Sequence, residues 1–130
     1  MNTGLFRIAA VQMVSGPDVS ENLAAADAMI GEAVAQGARL VALPEYFPVI
    51  GDEKAKVRLR EQDGEGPIQA FLADAARRHR VWLVGGTLPL EARAADKVRN
   101  ASLAFDPDGM RVARYDKIHL FGFEQGTERY

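Results

Sequence analysis

Two ionisable side chains come directly after hydrophobic runs and could carry chemistry. Glu45 lies in the segment LVALPEYF, and Lys117 lies in the segment YDKIHLF. Titratable groups with perturbed pKa values cluster at functional sites, and ligand sites of α/β sheets favour the carboxyl ends of strands. The two segments could therefore face one cleft.

The pair Glu45 and Lys117 suits hydrolysis at a carbon–nitrogen bond. Partial desolvation would raise the pKa of a glutamate from about 4.3 toward the working pH, where it could act as general base. A neighbouring lysine would offset the negative charge of a tetrahedral oxyanion. Amide or nitrile hydrolysis through a covalent intermediate also needs a nucleophile. The chain has no cysteine, so cysteine catalysis is excluded within it.

The elements that lead to Glu45 are predicted to be a strand, a helix and a second strand. The apolar run 6–13 suits a buried strand of an α/β sheet. Asp18 and Glu21 have the spacing of a helix N-cap and its acidic N3 partner, and apolar residues then recur at helical intervals toward Gly37.

The second strand ends beside Glu45. Residues 40–43 form an apolar run that Pro44 halts, which places Glu45 at or just past the carboxyl end of that strand. The next residues, 51–65, are charged and poorly periodic. They predict a short exposed helix or a mobile cover over whatever Glu45 faces.

A second helix and a hairpin lead to Lys117. Pro67 begins the helix, whose apolar residues share one face, and a strand follows at 81–84. Residues 98–105 are extended in character, and the turn at 106–109 has Pro and Gly at its favoured positions. The second strand of the hairpin, 110–115, is followed directly by Asp116, Lys117 and His119.

The order of these elements predicts one α/β layered domain with a mixed sheet, rather than a doubly wound parallel sheet.

A net charge of -2 and a pI near 5.7 argue against nucleic-acid binding. The N-terminus has no signal-peptide pattern, and no apolar run approaches the roughly 18 residues that cross a bilayer. We therefore expect a cytoplasmic protein without membrane insertion. Neither a phosphate-binding motif nor clustered metal ligands occur, so no cofactor is expected.

Four successive segments together resemble the nitrilase superfamily of carbon–nitrogen hydrolases: IAAVQM, the helix start at Glu21-Asn22-Leu23, GARLVALPEYF and YDKIHLFGFEQG. The resemblance spans nearly the whole chain. It implies a four-layer α-β-β-α sandwich, of which residues 1–130 would be the N-terminal portion of a single domain. It also implies a homo-oligomer and a small amide or nitrile substrate.

By the same resemblance, Glu45 is the general base and Lys117 the oxyanion stabiliser of a Glu-Lys-Cys triad. The cysteine would lie after a later strand, beyond this chain. The family's second glutamate is expected just beyond Tyr130, so neither Glu124 nor Glu128 is assigned to that role.

Several alternatives remain open from the sequence. Without the resemblance, Glu45 would more often be a surface carboxylate or a helix cap, and Lys117 a solvated cation. His119 is interpreted as a supporting residue and residues 77–80 as a solvated helix end. Asn100 is interpreted as a buried strand residue that orders the backbone near the pocket, which is a packing role rather than a chemical one. The substrate could be an amide, a nitrile or a carbamoyl compound. The chain could also be a non-catalytic truncated relative that binds a partner, or an unrelated ligand-binding domain.

Overall fold

The computed structural model describes residues 4–120 together with the pairs 124–125 and 128–129. Strands and helices alternate in the first half of the chain, and strands alone follow from residue 82 onward. The elements of these described residues are β1 (Ile8–Ala10), α1 (Val19–Ala35), β2 (Leu40–Ala42), α2 (Glu53–Leu59), α3 (Pro67–His79), β3 (Trp82–Val84), β4 (Leu88–Glu91), β5 (Val98–Phe105), β6 (Arg111–Asp116), β7 (Glu124–Gln125) and β8 (Glu128–Arg129).

Strands β1 to β6 form one mixed sheet, as predicted. The strands β1, β2 and β3 are parallel neighbours, whereas β5 is antiparallel to β3, β4 and β6. Strands β3 and β4 pair in succession with β5, and their register changes by one residue between the two ladders. The strands β7 and β8 form a separate two-stranded pair.

One face of the large sheet packs against helices α1 and α3. Val41, Leu83 and Leu103 point to this side and are at most 1% exposed. They belong to one hydrophobic cluster with Ile30 of α1 and Leu72 of α3. Each such side chain contributes about 1.5–3 kcal/mol when it is fully buried. The core therefore lies between the sheet and the two helices.

The opposite face of the sheet is apolar, and no described residue range forms a layer over it. In-register residues on this outer face are Ile8, Leu40 and Trp82, followed by a row of small residues that ends at Ala104 and Ala113. Ile8 is 67% exposed and Trp82 is 41% exposed. A flat apolar surface of this kind usually marks an interface.

The predicted start of α1 is confirmed. The start of α3 is capped by a side chain that the sequence analysis did not predict. Asp18 caps α1 and accepts a hydrogen bond from the Glu21 N–H at 3.0 Å. In α3 the capping group comes from a distance: the carboxylate of Glu61 accepts from the N–H groups of Ile68 and Gln69 at 2.8 and 3.0 Å. Glu61 is buried. Burial raises its pKa, and the two N–H donors lower it to a smaller extent.

Other predictions about the elements need correction. The first strand, predicted over residues 6–13 as a buried strand, is confined to β1 at the sheet edge, where Ile8 and Ala10 are exposed. Strand β4 was not predicted, because its four residues contain Pro89 and follow two glycines. The stretch 51–65 does contain the short helix that was predicted, α2.

The basic run at the end of α3 is less solvated than predicted. Arg78 donates to a carboxylate oxygen of Asp27 in α1 at 2.8 Å, and Nε2 of His79 lies 3.0 Å from the same oxygen. These contacts join the two helices at the surface. Within the described residues, no helix is both long and apolar enough to span a membrane.

Candidate active site

The structure brings Glu45 and Lys117 together. Glu45 lies three residues beyond the end of β2, and Lys117 comes immediately after β6. The Lys117 ammonium donates to Oε1 of Glu45 at 2.7 Å. The side-chain amide of Asn100 donates to the same oxygen, also at 2.7 Å. The three residues are far apart in sequence, so the site is a product of the sheet topology.

Hydrogen bonds to strand β5 fix the backbone position of Lys117. The last ladder pair of β6 joins Asp116 to Ala101, and the next backbone N–H, that of Lys117, donates to the carbonyl of Asn100 at 2.9 Å. The side chain of Glu45 is 52% exposed and that of Lys117 is 31% exposed. The pair therefore remains accessible to a ligand among the described residues.

The turn after β2 is held in an unusual backbone conformation. Tyr46 has φ of +49°, a left-handed value that is uncommon outside glycine. Its N–H donates to the hydroxyl oxygen of Thr87 at 2.8 Å, and the Lys56 ammonium lies 4.3 Å from the centre of its ring. Burial raises the pKa of Tyr46 to about 12, with Glu53 and Glu45 adding to the effect. Strained residues of this kind occur where the surrounding structure fixes them, often at functional sites.

Gly86 allows the turn to approach the sheet closely, and we expect Gly86→Ala to be strongly destabilising. A Cβ at this position would lie 2.0 Å from the carbonyl oxygen of Pro44, and the φ of Gly86 is +54°. Relief of that clash would displace the residue that precedes Glu45. We expect a loss of roughly 2–4 kcal/mol in the free energy of unfolding, measured by urea denaturation of the full-length protein.

Gly64→Ala provides the matched control. Gly64 also has a positive φ, +88°, but nothing lies within 4 Å of the added Cβ. That substitution should cost only the backbone strain, about 1–2 kcal/mol. Equal losses for the two variants would contradict the steric role assigned to Gly86.

The electrostatics of Glu45 differ from the prediction. The hydrogen bond from Lys117 is the largest influence and lowers the pKa of Glu45; burial opposes it, and the Asn100 amide lowers the pKa further. The expectation of a raised pKa was wrong, because the carboxylate is half-exposed and receives two strong donors. Glu45 is therefore ionised at neutral pH, in the form that accepts a proton.

An open pocket of about 690 Å³ surrounds this pair. Its volume lies in the range of sites for small molecules. Three acidic and three basic side chains line it, and Glu53, Lys56 and Val57 of α2 form one wall. Of the two predictions for residues 51–65, the short helix is the one that the structure shows, and it lines the pocket.

Two residues outside the predicted catalytic set help to shape the site. Asn100, expected to order the backbone near the pocket, binds Glu45 directly. Asn22 is buried, and its amide donates to the carbonyls of Gly16 and Pro48 at 2.8 and 2.9 Å, which ties α1 to the turn that carries Glu45. Asn22 belongs to one of the four segments that carry the family resemblance, which was its only signal.

His119 is exposed and does not line the pocket. Within the described residues, no group of three or more His, Asp or Glu side chains could hold a metal ion. The described part of the site therefore consists of Glu45, Lys117 and Asn100, with Tyr46 and α2 as walls.

The chain is similar to known proteins over most of its length. A family model described as carbon-nitrogen hydrolase matches residues 7–130. A deaminated glutathione amidase of Synechocystis is 40% identical over 114 residues, which are 87% of this chain and 42% of that protein. The human omega-amidase NIT2 is 36% identical over 92% of this chain and 42% of its own length.

A solved structure shows the same fold. Nit3 of Saccharomyces cerevisiae, a member of branch 10 of the nitrilase superfamily, superposes with a TM-score of 0.79 and is 29% identical. The match covers 88% of this chain and 44% of the yeast chain. The chain therefore spans less than half the length of these relatives.

Proposed function

The chain belongs to the carbon–nitrogen hydrolase family, and on that premise we propose that the full-length protein is an amidase that hydrolyses a small carboxamide through a cysteine thioester. The observation that carries the proposal is the contact between Glu45 and Lys117 at 2.7 Å, in the lining of an open pocket. Two of the relatives are named as amidases, which favours an amide over a nitrile or a carbamoyl substrate.

In the proposed reaction, Glu45 acts as general base and Lys117 stabilises the oxyanion. Glu45 takes the proton of a cysteine thiol that lies beyond residue 130, and the sulfur attacks the amide carbon. The proton passes to the nitrogen, the carbon–nitrogen bond breaks, and ammonia leaves a thioester. Glu45 then takes a proton from water, whose oxygen attacks the thioester carbon; the carbon–sulfur bond breaks, the acid is released, and Glu45 returns the proton to the sulfur.

The ionisation of Glu45 supports this assignment. A base must be unprotonated before the reaction, and Glu45, whose pKa the hydrogen bond from the Lys117 ammonium lowers, is unprotonated at neutral pH. The same ammonium is close enough to the carboxylate for its charge to act on an oxyanion formed beside it. No step requires a metal or a cofactor.

Release of ammonia tests the proposed substrate class. We expect the full-length protein to release ammonia from a monoamide of a small dicarboxylic acid, and much more slowly from the matching nitrile. The amide nitrogen leaves in a single acyl transfer, whereas a nitrile needs an additional hydration. Turnover of the nitrile alone would assign the protein to another branch of the family.

We further propose that residues 1–130 are the N-terminal portion of a single domain, whose remaining part covers the outer sheet face. The support is the exposed apolar row that includes Ile8 and Trp82, together with the limited share of each relative that the chain matches. Assembly into a homo-oligomer stays a prediction.

Trp82→Asp tests the covered face. A carboxylate placed in a buried apolar layer loses its hydration, so we expect the Tm of the full-length protein to fall by about 5 °C or more. Met110→Asp is the control, because Met110 is 64% exposed and follows a turn that contacts α3, on the other side of the sheet. Similar small shifts for both variants in thermal unfolding would show that the outer face stays in solvent.

A further inference from the structure

Asn100 links the two members of the catalytic pair. Its side-chain amide donates to Oε1 of Glu45 at 2.7 Å, and its backbone carbonyl accepts from the N–H of Lys117 at 2.9 Å. The residue is only 4% exposed. A single buried residue of β5 therefore contacts both members of the pair.

The orientation of the Asn100 amide follows from its partner. A rotated amide would place Oδ1 against the Glu45 carboxylate, where two acceptors would repel each other. In the orientation observed, Oδ1 is buried and has no donor among the described residues. A residue that served packing alone would be better replaced by an apolar side chain, since a buried acceptor without a partner is costly. The donor function is therefore what the asparagine contributes here.

The two oxygens of Glu45 are not equivalent. Oε1 accepts from both Lys117 and Asn100, whereas Oε2 receives no hydrogen bond from the described residues. An oxygen with two donors is the poorer base, because each donor stabilises its charge. Proton transfer is thus directed to the other oxygen.

We propose that Asn100 is a positioning residue, whose amide anchors Oε1 of Glu45 and leaves Oε2 as the atom that takes the proton. The inference rests on the proposed function, in which Glu45 is the general base. Asn100 itself touches no reacting atom. Its effect is on the geometry and the basicity of Glu45.

Two substitutions in the full-length protein test this role. Asn100→Leu removes the donor, and Asn100→Asp replaces it with a second carboxylate of the same shape. We expect kcat for a small amide at pH 7 to fall by about tenfold to a hundredfold in both, with KM within about threefold, because misplacement of a reacting group mainly affects the chemical step.

The pKa of Glu45 provides a readout that a purely structural role would not change. It can be followed by 13C NMR of labelled glutamate, with Glu45→Gln to assign the signal. Asn100→Leu should raise this pKa, and Asn100→Asp should raise it further, since two close carboxylates share one proton. Gln69→Leu, at a buried amide that does not line the pocket, should lower Tm and leave the Glu45 pKa in place.

The outcomes separate this inference from the proposed function. If Glu45→Gln is inactive but both Asn100 variants keep the wild-type kcat and Glu45 pKa, the positioning role is overturned and the proposed function stands. If the Asn100 variants shift the pKa while Glu45→Gln stays fully active, the role of Glu45 as base is lost and the proposed function fails. Lower kcat together with a raised pKa supports both.

Discussion

Glu45→Gln is expected to lower kcat for amide hydrolysis by roughly 10²- to 10⁴-fold, which is the usual contribution of a general base. The glutamine side chain has the same shape and can still accept from Lys117, so the fold and the pocket should persist. What it loses is the ability to take a proton. Steady-state kinetics of the full-length protein on a small amide measure the effect.

A second acidic residue serves as the control for this substitution. Glu32 lies on α1, is exposed and is absent from the pocket around Glu45. Glu32→Gln should leave kcat within about twofold, because substitutions at exposed positions away from the site usually have small effects. A comparable loss in both variants would mean that the decrease reflects general instability rather than catalysis.

Lys117→Ala should have the second largest effect, with two consequences that can be measured separately. Removal of an oxyanion-stabilising group typically costs about 10²- to 10³-fold in kcat. The same substitution removes the largest influence that lowers the pKa of Glu45. That pKa should therefore rise, and the acid limb of the kcat/KM profile should move to higher pH.

The direction of the pH effect follows from the protonation state that works. Glu45 must be ionised to act as base, so activity falls as pH drops through its pKa. Wild-type protein, with a lowered pKa, should keep its activity further into acid than Lys117→Ala does. Lys54→Ala, at an exposed position of α2, is the control and should change neither kcat nor the profile. An unshifted acid limb in Lys117→Ala would contradict the assigned ion pair.

Local signals predicted the elements well where the determining contacts lie within a few residues. The cap of α1 depends on Asp18 and Glu21, which are neighbours in the first turn. The hairpin turn likewise closes on itself, because Asp106 accepts from the N–H groups of Asp108 and Met110. Periodicity and turn chemistry are sufficient for such features.

Features that depend on distant partners were missed or predicted wrongly. Glu61 was unremarkable within a charged stretch, yet it is buried because it caps a helix that begins several residues later. The exposure of β1 depends on its place at the edge of the sheet, which no local pattern specifies. The pKa of Glu45 was predicted from desolvation alone, and the opposite direction results from Lys117, 72 residues away.

The strand ends indicated that Glu45 and Lys117 could face one cleft, and the resemblance implied that they act together. Strand ends gave both residues a plausible location, but no spacing rule places positions 45 and 117 in contact. The resemblance gave no role to Asn100, which the structure shows at hydrogen-bonding distance from Glu45. The family motifs thus predicted a role for Glu45 and Lys117, and the structure adds Asn100, which contacts both residues.

Brief alkylation of the full-length protein, followed by its intact mass, tests the central claim most directly. The account predicts one cysteine beyond residue 130 that reacts much faster than a free thiol at neutral pH, is protected by the amide substrate, and becomes slow in Glu45→Gln. Amide turnover by a protein with no such thiol, or a thiol whose rate is the same in Glu45→Gln, would contradict it.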